Sequence, residues 1–440
     1  MQPGDSPHPD PASAAPLSLA EANAIVSAQA TAILSDHSAQ AQMCELASAM
    51  GRVLATPIAA DRDQPPFDRV IRDGFAVRAE DLHDNSPLTI IGQLRAGEAW
   101  SSSLRPVGKH EAVEIMTGAP LPPGVNAVLM VEHTQHLDDI LQNGESVRLI
   151  LPQKGRTLTA GENIVSRGSE ARQGQLLVDS GRRLGAAEIA LAASCGLQSL
   201  QVFPTVRVAI LATGDELVEQ PAEALAILPH QIYDSNSHAL VALAQQCHAA
   251  PVRQRAARDD RDDLTDRIRQ GFAAAPLLLL TGGVSMGKYD LVEEVLSAMD
   301  AEFFFTGVRM QPGKPVVFGR LPANQEHPAG YFFGLPGNPV STMVTFRVFV
   351  EPLLAAMSGE RNWQPRIAQA QLSGRVQVKR GLTRFLPARL DTTENIPAVT
   401  PVKTQGSGDL TANARANCYL IVPEDCETVA EQQTVCVLLH

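Results

Sequence analysis

The chain has 440 residues, 44% hydrophobic and 19% charged, with 36 Lys plus Arg against 48 Asp plus Glu and a net charge of −12. A chain of this length accommodates about three domains with well-buried cores, and the composition excludes a wholly disordered, collagenous or coiled-coil protein. The acidic balance repels phosphate polyanions over most of the surface, which argues against a broad nucleic-acid-binding face but leaves room for a small anion held by local donors.

Residues 1–17 contain five prolines and almost nothing to bury, a flexible-tail composition. From Leu17 to about Leu54 the pattern is Ala-rich and helical, with Ser18 or Ser35 as candidate caps. Residues 55–200 change character: short alternating runs at Phe75–Val77, Ala127–Val131 and Val147–Ile150, separated by Pro and Gly, predict β-structure with long loops. Ala186–Gly196 then reads as a short helix ended by its glycine.

From Val206 strands alternate with helices. Strands are predicted at Val206–Ala212, Leu277–Leu280, Val316–Gly319 and Tyr331–Gly334, and helices at His238–Ala249, Asp260–Phe272, Leu291–Met299 and Val340–Met357. That rhythm predicts βαβ units and a doubly wound α/β domain over residues 206–357. After Gly359 short strands return, ending with Cys418–Val422 and Thr434–Leu439, so residues 358–440 read as a small β domain. The six cysteines form no C-x-x-C pair and read as buried free thiols rather than zinc or redox groups. The first Lys or Arg is Arg52 and no apolar run approaches the length of a membrane span, so a cytoplasmic protein is expected.

Three loops that follow predicted strands carry the chemistry: Thr213-Gly214-Asp215-Glu216, Thr281-Gly282-Gly283-Val284-Ser285 with Asp290 beyond it, and Leu335-Pro336-Gly337-Asn338-Pro339. In an open α/β sheet, ligands gather at the carboxyl ends of the strands, and glycines let backbone N–H groups approach an anion. Lys314, between Pro312 and Pro315 near Gly313, suits an oxyanion clamp. Glu216, Asp259 and Asp290 beside such loops make sense if Mg²⁺ bridges carboxylate and phosphate. Singly, each feature has an ordinary reading: Gly-Gly is usually a turn, Asp290 a helix cap, and Asp259 part of a solvated charge cluster. Together they point to a site for a phosphate-bearing small molecule.

The stretches PPFDRVIRDGFAVR, IMTGAPLPPGVNAV, ATGDEL, QIYDSN, LLLLTGGVSMGKYD, MQPGKPVVFG and FFGLPGNPVSTMVTF, in this order, resemble the molybdopterin molybdenumtransferase family of molybdenum-cofactor biosynthesis, which includes the E domain of gephyrin. The resemblance runs from about residue 40 to 357, with weaker similarity at TQGSGDL and ANCYLIV. It implies two interleaved N-terminal modules in residues 18–205, one of them elongated, then a molybdopterin-binding α/β domain, a C-terminal β domain and a homodimer with its cleft between subunits. The implied reaction takes adenylyl-molybdopterin and molybdate to the molybdenum cofactor and AMP, with Mg²⁺. The implied partners are the molybdopterin adenylyltransferase and molybdoenzyme-maturation proteins.

Carried onto this sequence, the family motifs give Asp73, Glu216, Asp259 and Asp290 catalytic roles, with Glu216 and Asp290 for metal and phosphate. Thr117, Gly214, Asp215, Gly282, Gly283, Ser285, Pro336, Asn338 and Pro339 fall to substrate binding, Lys314 with Ser407 to molybdate, and Asp73 is expected to reach across the dimer. The chain departs from the family at Arg69–Arg72, at Ser169 and Glu170, and at Gln311, and Gly381–Arg389 aligns loosely. Two other readings share these motifs: a molybdopterin adenylyltransferase, disfavoured by the large β-rich region ahead of the α/β domain, and a non-enzymatic pterin-binding scaffold, disfavoured by retention of the acids.

Overall fold

The computed structural model describes residues 15–36, 41–101, 105–142, 145–218, 227–283, 291–325, 327–393 and 395–440. They form two compact units, one from the residues up to Ala55 with Gly181–Gly185 and Leu200–His440, the other from Thr56–Ser180 with Ala186–Ser199. The expected tail lies outside the described residues as far as Ala14, but Leu17 belongs to the fold: its N–H donates to the Gly307 carbonyl (3.0 Å) and its carbonyl accepts from Arg309 (2.7 Å). Helix α1 (Leu19–Ser35) follows, with Ser18 and Glu21 forming a reciprocal capping box. Ser35 is instead the last helical residue. Ala22, Val26 and Ala30 of α1 are buried in the core of the larger unit.

The smaller unit is built on six strands: β1 (Gly74–Val77), β2 (Leu88–Leu94), β3 (Glu111–Ile115), β4 (Ala127–Met130), β5 (Thr134–Gln142) and β6 (Glu145–Pro152). They are ordered β4-β1-β3-β2-β6-β5. Successive side chains enter different cores, Phe75 and Leu129 on one face and Ala76 and Val128 on the other, so both faces are covered. Helix α2 (Ala186–Ser194) ends as its sequence predicts: Gly196 has φ 75°, Leu197 N–H donates to Ala192 O and Gly196 N–H to Ala193 O.

The α/β part of the larger unit has strands β7 (Arg207–Ala212), β8 (Ala250–Arg253), β9 (Leu277–Thr281), β10 (Glu302–Phe305), β11 (Val317–Leu321) and β12 (Gly330–Leu335). Their order is β8-β7-β9-β12-β11-β10. The first four are parallel, and β11 and β10 run antiparallel at one edge. Helices α3 (Asn236–Gln246), α4 (Arg261–Ala274), α5 (Leu291–Ala298) and α6 (Pro339–Met357) cover both faces. Val208, Ile210, Leu277 and Leu279 pack with α3 and α6, while Ala209, Leu211, Leu278 and Leu280 pack with α4 and α5. The four-leucine run is thus a strand buried on both sides, as a doubly wound sheet requires.

Helix α6 starts on Pro339, whose missing N–H costs nothing there, and widens to a π-helical turn at Phe346–Val350. Pro352 supplies a local cause, since it has no N–H to return to the carbonyl of Val348. Among the described residues α6 alone is long and apolar enough by composition to cross a membrane, but 78% of that stretch is buried within the protein.

Beyond α6, strands β13 (Ile367–Leu372), β14 (Thr383–Asp391), β15 (Ala398–Pro401), β16 (Cys418–Val422) and β17 (Thr434–Leu439) pair in the ring β14-β15-β13-β17-β16, and β16 returns to β14. The expected small β domain is therefore a closed barrel, filled by residues such as Leu372, Val399, Leu420 and Val437.

Candidate functional site

The carboxyl ends of the parallel strands meet in a cleft of about 360 Å³ lined by Thr213, Glu216, Asn236, Gly282 and Asn338. The glycines fit by necessity: a Cβ on Gly282 (φ +86°) would lie 2.3 Å from the Thr213 carbonyl, and one on Gly283 would lie 2.7 Å from the Thr213 hydroxyl. The Glu216 carboxylate folds back over Gly214, where a Cβ would sit 2.4 Å from Oε2. Asn236, the first residue of α3, ties two of the loops together, donating from Nδ2 to Thr281 Oγ1 (3.0 Å) and to the Gly337 carbonyl (2.7 Å). Two buried oxygens facing this region, Thr213 Oγ1 and Asn236 Oδ1, have no partner among the described residues. Unsatisfied buried oxygens are costly, and at a cleft they are ready contacts for a ligand or a hard cation.

Asn338 also lines a second, larger cavity of about 1020 Å³ in the same unit. Lys314, Pro336 and Ser407 line it, together with Lys379, Arg384 and Thr404. The α/β part presents Lys314 from a loop fixed by Val308 N–H to Lys314 O (2.9 Å). The Ser407 loop sits on the first turn of α6, where Val340 N–H donates to Ser407 O (3.0 Å). Asp409 holds that loop by accepting from Gln405 N–H (3.0 Å) and capping the next helix at Ala412 N–H (2.9 Å). Arg384 donates from Nη2 to the Lys379 carbonyl (2.9 Å) and keeps a buried Nε without a partner among the described residues. Lys314, Lys379 and Arg384 thus bring three cationic side chains to one cavity of an acidic protein, a donor set suited to an oxyanion.

Asp73 and Thr117 lie in the smaller unit and meet there: Asp73 Oδ1 accepts from Thr117 N–H (2.7 Å) and from its hydroxyl (2.8 Å). Those two bonds, the backbone one first, hold the Asp73 carboxyl below the usual carboxylate range. Its backbone is fixed as well, because Val131 N–H donates to Asp73 O (3.2 Å) and Gly74 beside it has no room for a Cβ, with Leu129 O 2.0 Å from that position.

The structure thus places Glu216, Gly282, Asn338 and Pro339 around the glycine-loop cleft, with Gly283 against Thr213, and Lys314, Pro336, Asn338 and Ser407 around the adjoining cavity, while Gly214 and Asp215 line a further cleft. Asp259 joins through its backbone, its N–H donating to Asp215 Oδ1 at 3.3 Å. Ser285 and Asp290 lie outside the described residues. Sequence reasoning assigned no role to Asn236, Lys379, Arg384 or Thr404. QIYDSN marked the neighbourhood of Asn236, but its partner Gly337 is 101 residues away. No group of three His, Cys, Asp or Glu side chains clusters as a metal site among the described residues. A Mg²⁺ ion needs less, since it usually takes one or two carboxylates and leaves the rest to phosphate and water, and Glu216 with the two unpartnered oxygens fits that donor set.

Three family models match the chain: the MoeA N-terminal region (domain I and II) over residues 17–196, the "probable molybdopterin binding domain" over 209–356, and the MoeA C-terminal region (domain IV) over 369–440. A molybdopterin molybdenumtransferase of Nostoc sp. is 34% identical over 338 residues, covering 75% of this chain and 72% of the relative. One from Haemophilus influenzae is 30% identical over 412 residues, covering 90% and 93%. The crystal structure of a molybdopterin biosynthesis MoeA protein from Pyrococcus horikoshii superposes with a TM-score of 0.70 at 29% identity, covering 97% of this chain and 99% of that one.

Proposed function

Because the chain belongs to the molybdopterin molybdenumtransferase family, a transferase family of molybdenum-cofactor biosynthesis, we propose that it inserts molybdate into adenylyl-molybdopterin, with Mg²⁺-dependent release of AMP. The observation that carries this reading is Asn338, which stands in the wall of both the glycine-loop cleft and the cation-lined cavity. A phosphoester in the first and an oxyanion in the second are then neighbours, and insertion requires that arrangement.

In this reading Gly282 and Gly283 bring backbone against the substrate phosphates, Gly214 leaves room for the Glu216 carboxylate, and Asn236 holds the Thr281 and Gly337 loops in register around them. Lys314, Arg384 and the Ser407 loop receive molybdate and orient it toward the dithiolene sulfurs. Glu216, with Asp290 as a further carboxylate, would hold Mg²⁺, which supplies charge neutralisation on the phosphates. Asp73, kept ionised by Thr117, completes the site across a homodimer, while Asp215 and Asp259 brace the Glu216 loop. Water attacks the phosphoanhydride and AMP leaves, and the two dithiolene thiols replace one oxo ligand of molybdate, which departs as water with the two thiol protons. An adenylyltransferase would supply the substrate, and maturation proteins of molybdoenzymes would take the product.

The test is AMP release and active-cofactor formation from purified adenylyl-molybdopterin, with and without micromolar molybdate and Mg²⁺. Molybdate-dependent release coupled to active cofactor is expected. Consumption of ATP and molybdopterin to make the adenylate, or release indifferent to molybdate, overturns the assignment.

A further inference from the structure

A third cleft, of about 640 Å³, opens on the other side of the Gly214–Leu217 loop. Leu217 lines it as well as the glycine-loop cleft, so one short segment separates the two. Among the described residues, Arg255, Arg258 and Arg267 line the third cleft against two carboxylates, Asp215 and Asp263. Both acids are already engaged: Asp215 Oδ1 accepts from Asp259 N–H (3.3 Å), Asp263 Oδ2 accepts from Arg258 N–H (2.9 Å), and Asp263 Oδ1 lies 3.5 Å from Arg267 Nε. Arg255 and Arg258 are exposed, and neither guanidinium has an ion-pair partner among the described residues.

This local excess of positive charge stands in a chain of net charge −12, where placing unpaired arginines together is unfavourable without an anion to share. Guanidinium groups match phosphate oxygens in paired, planar geometry better than any other side chain. The volume is many times the roughly 30 Å³ of a liquid water, and Leu217 and Val218 give one wall an apolar face. We propose that this cleft binds a phosphomonoester, held by Arg255, Arg258 and Arg267, at a site separate from the substrate clefts and coupled to Glu216 through the 214–217 loop. The proposal does not rest on the insertion chemistry, since none of these arginines lines either of the other two clefts.

Isothermal titration of the full chain with inorganic phosphate and with CMP tests it, comparing wild type, the double variant Arg255→Gln/Arg258→Gln and Lys154→Gln, an exposed lysine that lines none of the three clefts. Thermal unfolding verifies that each variant is folded. The double variant is expected to lose about tenfold or more in affinity, equivalent to about 1.4 kcal/mol, while Lys154→Gln stays within about twofold of wild type. Tighter binding of CMP than of phosphate identifies a nucleotide as the ligand source, equal or weaker binding identifies free phosphate, and both uphold the site. Unchanged affinity in the double variant, an equal loss in Lys154→Gln, or no heat from wild type with either probe overturns the proposal.

Discussion

Asn236 gives the sharpest test of how the site is assembled. Its Nδ2 donates to Thr281 at the end of β9 and to Gly337 before α6, so one side chain ties three segments together. Asn236→Ala removes both bonds. At about 1 kcal/mol net for each bond, with up to about 1 more for the Thr281 hydroxyl left with less company, the loss is about 2–3 kcal/mol. Thr281 is 1% exposed, so water cannot easily replace the lost donor. A protein with an overall stability of about 5–15 kcal/mol remains folded after such a loss, and the damage is local. If the geometry is used in the transition state, kcat/KM for AMP release falls by about 30- to 150-fold. Hydrogen exchange of the amides at 281–283 and 336–338 should rise in the same variant. A variant with wild-type turnover and unchanged protection at those amides would refute the idea that Asn236 holds the loops.

Lys314→Gln and Arg384→Gln should each weaken molybdate by about 1.5–3 kcal/mol, the range for a charge-assisted hydrogen bond, seen as a raised KM for molybdate with turnover largely kept at saturation; an unaltered KM in both removes the cavity from the mechanism. Thr117→Val deletes the hydroxyl bond to Asp73 but keeps the backbone one, so the Asp73 carboxyl rises part of the way toward its ordinary value. A depressed folded-state pKa means that the ionised, paired form persists above the unfolded value and is lost as pH falls through the folded one; in the variant that loss begins at higher pH. Carboxyl NMR of Asp73 and the acid limb of the activity profile should both move upward, and a stationary titration would contradict the assignment. Gly282→Ala adds a methyl 2.3 Å from Thr213 O at φ +86°, so urea unfolding should show a loss of about 2–4 kcal/mol from backbone strain and overpacking together.

Much of this architecture is written locally in the chain. Leu277–Leu280 reads as a buried parallel strand because both of its faces are apolar, and Gly196 ends its helix because only a residue at ease with positive φ closes that turn. The strand Thr134–Gln142 escapes such reading: its sequence, TQHLDDILQ, lacks the alternation that marks a strand, and among the described residues it pairs with β6 alone, at the edge of the sheet. The barrel is hidden for another reason. Its closing contact, β16 on β14, is a non-local pairing that no strand announces by itself. Helix α6 is legible from its apolar face, but its π turn depends on where Pro352 falls in the ladder of hydrogen bonds.

The site divides along the same line. The three glycine-bearing loops announce themselves by composition, and Lys314 by its flanking prolines. Asn236 and Arg384 do not, because their roles come from partners brought near by folding: Gly337 for one, and the cavity shared with Lys314 and Ser407 for the other. The family resemblance supplied Asp73 and Thr117 as single positions, and the structure supplies the pair of hydrogen bonds that joins them.

The closed ring of β13–β17 has a consequence for how the cavity around Lys314 can change over time. Beside Arg384 to Pro387 of β14, its far wall comes from connecting segments, with Lys379 in one and Thr404 and Ser407 in another. Every strand of the ring has a neighbour on each side, so these segments can lengthen, shorten or exchange residues without baring an unpaired strand to the solvent. Selection for a different anion could therefore work on the inserts and leave the frame alone. The opposite wall has no such freedom, because Lys314, Pro336 and Asn338 sit where the α/β strands and α6 fix them. New specificity at this cavity should arise from the barrel side.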